Sequence, residues 1–269
     1  MINCHGPKEK LTVNLGRLLV ISTNVFQEVI RDRVLYLIAF FAIFLAAANQ
    51  LLPWVAAGEE DRILLDLGIA AIGLLGLVVT VFVGTGLVNK EIDKRTVLVM
   101  LSKPISRAEF ILGKHVGLSA VVAVLIIATT AIYFLILSLS NISYPMISLS
   151  IAVFYLFLEL SLITAVAILF GVFTSPLLAT LMTFAVYLMG HLSRDILALA
   201  ALSNNPKMQQ IIEGFYLVLP DLSRLNLRNE AVYGFLPDPM MLASSVGYAL
   251  LYTLLLLLLA SLIFARRQF

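Results

Sequence analysis

The chain has 269 residues, of which 61% are hydrophobic and 13% charged, and its mean hydropathy is +1.02. Soluble domains run closer to half apolar and a quarter charged, so composition excludes an ordinary water-facing fold. A formal net charge of +2 selects no charged partner, and no nucleic acid is expected.

Residues 1–33 are charged and precede the first apolar run, which is too long and too far from the start for a cleaved signal peptide. Within them Phe26, Val29, Ile30 and Arg33 recur at helical spacing, with Glu28, Arg31 and Asp32 between them. Leu11, Leu15, Leu18 and Leu19 continue the apolar face upstream. The pattern predicts an amphipathic helix lying in the headgroup plane, with its basic residues reaching lipid phosphates. A solvated lead-in to the first span is the alternative.

Six apolar runs follow, at 34–54, 67–88, 116–140, 147–174, 176–190 and 239–265. A bilayer core takes about 20 helical residues to cross, and backbone groups in hydrocarbon must be satisfied within their own segment, so each run predicts a transmembrane helix. The fifth is short and is separated from the fourth only by Thr174-Ser175-Pro176, a tight turn with a helix-initiating proline. Six spans place both termini on one side. Residues 1–33, 89–115 and the tail hold 13 lysines and arginines, against 5 on the other side, so the positive-inside rule puts the termini in the cytoplasm of a cell membrane. The acidic loop Glu59-Glu60-Asp61 and the segment 191–238 then face outward.

The segment 89–115, between the second and third spans, is far longer than a connector needs to be. Glu91 precedes Arg95 by four residues, the favourable order for a helical ion pair. Pro104 pushes Lys103 out of the helical region and ends that helix. Ser106 and Glu109 then form a capping box that starts a new helix into the third span. A solvated loop is the plain alternative; a lever held by another chain is the functional one.

These residues carry a resemblance. Glu91, Arg95-Thr96, Leu101-Ser102-Lys103-Pro104-Ile105-Ser106-Arg107, Phe110 and Gly113-Lys114 resemble the cytoplasmic coupling region of type-2 ABC exporter permeases. Phe26 to Tyr36 is similar to the elbow helix of that family, and Pro220-Asp221-Leu222 with Asn226 to Gly234 extends the likeness into the outer segment. The resemblance implies an all-α polytopic protein with six transmembrane helices, an elbow helix at Phe26, Glu28, Arg31 and Arg33, and short re-entrant helices before the last span. It implies a permease subunit of an exporter, working as a dimer of two copies in lipid. Separate ABC ATP-binding subunits would dock on Glu91, Arg95, Thr96, Ser102, Lys103, Pro104, Ser106 and Arg107. No phosphate-cradling Gly-x-x-x-x-Gly-Lys-Ser/Thr loop is present, so no cofactor is expected in this chain, and ATP and Mg would be bound by the partner. The outer segment, with Asn205-Pro206 as a helix start, would gate exit or meet an extracytoplasmic partner.

Glu159 stands apart as the one charge in its run, 12 residues in and about 18 Å along the helix from its outer end. A carboxylate at that depth costs several kcal/mol and marks a substrate path or gate, unless it is protonated against a neighbouring hydroxyl. An autonomous proton-coupled transporter using Glu159, or a non-transporting scaffold, are the alternative functions. Gly113 and Gly117, with the glycines of the second span, predict close helix packing or, failing that, a dimer contact. His5, His115 and His191 match neither a bis-histidine haem nor a zinc-protease pattern, and a single cysteine, Cys4, excludes an intramolecular disulfide.

Overall fold

The computed structural model describes residues 15–30, 34–56, 58–93, 106–202, 207, 209, 212, 214, 216 and 219–266, with 88–93, 194 and 198–202 described in backbone only. Every element is helical: α1 (Leu15–Val29), α2 (Leu35–Val55), α3 (Glu60–Asp93), α4 (Arg107–Leu139), α5 (Met146–Phe173) and α6 (Pro176–Leu202). A 3-10 turn (Leu222–Arg224), α7 (Arg228–Val232) and α8 (Pro239–Arg266) complete the described chain. Helices α2, α3, α4, α5, α6 and α8 are long and apolar enough to cross a bilayer. Several run beyond the uncharged stretches: α3 begins at Glu60 and α4 at Arg107. The physical reason is that a helix continues into the headgroup zone, where charge is tolerated, and only its middle must be apolar.

Helix α5 is the axis of the bundle. Leu160, Leu162, Ile163, Ala165, Ala167 and Ile168 on it are fully buried, because α3, α4, α6 and α8 all pack against it. Helix α2 is peripheral, with only Phe41 and Leu45 buried, and it turns Phe40, Ile43 and Leu51 outward. Apolar side chains left exposed in this way suit hydrocarbon or another helix rather than water.

Small residues set the closest approaches. The second-span glycines pack as expected: a methyl on Gly68 would lie 2.2 Å from the Tyr133 ring, and one on Gly84 3.0 Å from Ala167. Gly86, by contrast, has open space beside it. Gly113 and Gly117 also serve packing, and their partner is α1 of the same chain. A Cβ on Gly117 would meet the Ser22 carbonyl and the Val25 Cβ, both at 2.8 Å, and Ser22 donates to the Gly113 carbonyl at 3.1 Å. Helix α1 therefore lies across the base of α4, with Ser22, Val25 and Val29 buried. Phe26 packs at the edge of the core, and Glu28 is exposed, lining a cleft of about 770 Å³ with Tyr36, Val79, Val83 and Leu87. Arg31 and Arg33 lie outside the described residues.

The predicted capping box is present. The Glu109 amide donates to the Ser106 hydroxyl at 3.1 Å, and the Ser106 amide donates to the Glu109 carboxylate at 2.8 Å. Replacing Ser106 with alanine should lower the thermal midpoint by the equivalent of about 0.5–2 kcal/mol, the usual worth of an N-cap. Scanning calorimetry of S106A against the parent checks this.

Candidate functional site

The turn Thr174–Ser175 reverses the chain between α5 and α6, as the sequence predicts, and so runs the two helices side by side. Glu159 lies 13 residues after Met146 and 14 before Phe173, about 20 Å from either end of α5. It is completely buried. Two side chains from other elements meet it. Nε2 of His191 on α6 is 3.4 Å from Glu159 Oε1, and a guanidinium nitrogen of Arg228, the first residue of α7, is 3.8 Å from the same oxygen. Tyr187 lies beside the guanidinium, and its ring lies 4.4 Å from that of His191.

Each partner is placed by a local feature. Tyr187 and His191 are four apart on α6 and share a face, and Nδ1 of His191 bonds the Tyr187 carbonyl at 3.1 Å. A carbonyl only accepts, so Nδ1 carries a proton and the ring turns its other nitrogen, Nε2, toward Glu159. Arg228 reaches in because α7 packs on α3 and α5, and because α3 has a glycine where the guanidinium sits. A methyl on Gly73 would lie 2.7 Å from an Arg228 nitrogen and 2.9 Å from its central carbon.

A second buried carboxylate gives the contrast. Asp221, 3% exposed, accepts from Ser193 at 3.2 Å, Tyr216 at 3.2 Å, Arg224 at 3.0 Å and Ser223. Its amide donates to the Tyr248 hydroxyl at 2.8 Å, and Arg224 lies over the Tyr248 ring. Hydrogen bonds that it donates to the Tyr216 hydroxyl and to Asp221 hold the Arg224 guanidinium above its ordinary pKa. This saturated knot fastens the segment between α6 and α8 to both helices. Gly190 completes the seat, since a Cβ there would collide with Leu222 and with the Pro220 carbonyl at 2.8 Å. Glu159 is the opposite case. Among the described residues neither of its oxygens accepts a hydrogen bond, and His191 Nε2 and two Arg228 nitrogens make none. A saturated carboxylate holds structure, whereas an under-satisfied buried one invites a functional explanation.

Of the other residues singled out by sequence, Ser106 caps α4, and Arg107 donates to the carbonyls of Phe264 (3.2 Å) and Ala265 in the last turn of α8. Phe110 stacks on Phe264 at 5.5 Å. Glu91 lies on α3 without a described side chain, and Arg95, Thr96, Ser102, Lys103 and Pro104 lie outside the described residues, as does Asn205-Pro206. His115 directs Nε2 to the Ser161 carbonyl at 3.1 Å, so that nitrogen carries a proton. Among the described residues no group of three or more His, Cys, Asp or Glu could hold a metal. The sequence singles out Glu159 but does not join it to His191, Arg228, Tyr187 or Gly73. The available signal was electrostatic: a lone carboxylate in an apolar run needs a cation, and few were within reach.

A family model described as ABC-2 family transporter protein matches residues 19–269. A search of curated proteins returns no match.

Proposed function

The chain belongs to the ABC-2 family of transporter proteins, and on that premise we propose that it is an exporter permease whose two copies form the substrate path and are driven by separate ATP-binding subunits. It is a multi-pass membrane protein and the membrane subunit of a transporter. In this reading both termini and the segment 94–105 face the cytoplasm, the ATPases grip Glu91 to Arg107, and ATP and Mg stay on those partners. Nucleotide that binds the closed ATPase arrangement more tightly shifts the permease between two states.

The observation that carries this reading is the tethering of the start of α4. Ser106 and Glu109 fix its first turn, Arg107 and Phe110 bind it to the end of α8, and Gly113 and Gly117 press it on α1. A force applied just before Ser106 would therefore be felt by three helices together. The exposed apolar faces of α2, α6 and α8 give a second copy and lipid ample area.

Affinity purification of the tagged chain from its native membrane tests the proposal. An ATP-binding subunit should come with it, and Glu91→Lys or Arg95→Glu should sharply reduce its recovery while the permease still inserts. Recovery unchanged in both variants, or no ATP-binding partner at all, would refute it.

A further inference from the structure

We propose that Glu159, Tyr187 and His191, floored by Gly73, form a receptor site for an organic cation with a guanidinium or ammonium head, which Arg228 occupies as a tethered ligand. The lining argues for the ligand class. It offers two carboxylate oxygens and a phenol hydroxyl, beside the ring edge of a histidine whose Nδ1 is spent on a carbonyl. That is an acceptor-rich surface, complementary to a head group carrying several N–H donors.

The fit of Arg228 argues that the site is not simply structural. Its guanidinium rests 3.8 Å from Glu159 without the forked hydrogen bonds of a fixed arginine–carboxylate pair, and two of its nitrogens make none among the described residues. Gly73 leaves the space that the guanidinium fills, since a Cβ there would lie within 3.3 Å of three of its atoms. The site also has a mouth: the Arg228 and His191 side chains are 21% and 19% exposed while Glu159 is 1%. Arg228 is carried by a five-residue helix in the segment between α6 and α8, and is not anchored to a span of its own.

A carboxylate in the middle of a membrane helix is too costly to leave uncompensated. Any movement that withdraws Arg228 must therefore be matched by the arrival of another positive charge, a proton on Glu159 or a cationic ligand. A cationic ligand that replaces the guanidinium would release α7 from α3 and α5, which couples binding at Glu159 to opening on the α7 side.

Chemical rescue tests this on the purified full chain in nanodiscs, without a partner subunit, so that its failure is separable from failure of the ATPase-coupled reading. Arg228→Ala should lower the thermal midpoint, and millimolar methylguanidinium should restore more than half of the loss. Urea, its neutral counterpart in shape, should restore none, and Glu159→Gln added to Arg228→Ala should abolish the rescue. If Arg228→Ala does not fold, competition in the unaltered chain replaces it: methylguanidinium should speed amide exchange in 228–232, and Glu159→Gln should remove that effect. Absence of any cation effect, equal rescue by urea, or recovery by acidification to which the cation adds nothing would overturn the proposal.

Discussion

Arg228→Met should destabilise the protein far more than Glu159→Gln, and the two together should cost less than Arg228→Met alone. The asymmetry follows from where each charge is left. With Arg228 gone, Glu159 loses the guanidinium charge 3.8 Å away while completely buried at the midpoint of α5. Breaking one side of a buried pair typically costs about 3–5 kcal/mol, most of it the penalty on the charge left behind. With Glu159 replaced, the orphaned guanidinium is partly exposed, so it can turn toward water or headgroups. The double variant removes both charges and leaves α5 and α7 to pack as apolar surfaces. Thermal unfolding of the three variants in one detergent measures this. Equal losses for the single variants, or a double variant that sums them, would mean that the pair is not coupled as the geometry requires.

The same pair marks the limit of what was legible from the chain. Spans could be read because hydrocarbon imposes a one-dimensional rule, and a residue's neighbours in sequence decide whether its segment can cross. The Ser106–Glu109 cap and the Pro176 helix start were legible for the same reason, since both are satisfied within four residues. Gly113 and Gly117 were legible as a contact but not as to partner, because four-residue spacing says that something comes close and not what. Arg228 and His191 could not be placed, being 69 and 32 positions from Glu159 on elements whose registers are independent of α5. Their meeting depends on the 3-10 turn seating on Gly190 and on Asp221 gathering Ser193, Tyr216 and Arg224, which brings α7 down onto α3 and α5. The long-range pairing is thus a consequence of a short-range knot. In the sequence Asp221 belongs only to the family likeness, and its hydrogen-bonding role emerges from structure alone.

Gly117→Leu should lift α1 off the base of α4. The contact there is with atoms that cannot swing aside: the Ser22 carbonyl oxygen and the Val25 Cβ, each 2.8 Å from where a Cβ would stand. Overpacking of this kind costs about 1–3 kcal/mol when the surroundings can shift only as a unit. The unit here is α1 as a whole, since Ser22 also holds it to Gly113. A thiol probe reads the displacement cleanly, because Cys4 is the single native cysteine and can be replaced by serine. Val25→Cys, at a position 2% exposed, should label slowly in the Cys4→Ser background. Adding Gly117→Leu should raise its rate roughly 5–150-fold, the population ratio that 1–3 kcal/mol represents. Gly86→Leu is the control, since among the described residues no atom beyond its chain neighbours and its own helix backbone lies within 4 Å of the added Cβ, and it should leave the rate unchanged. If Gly117→Leu labels no faster than that control, α1 is not held by its seat on α4, and the start of α4 could not carry a push into α1.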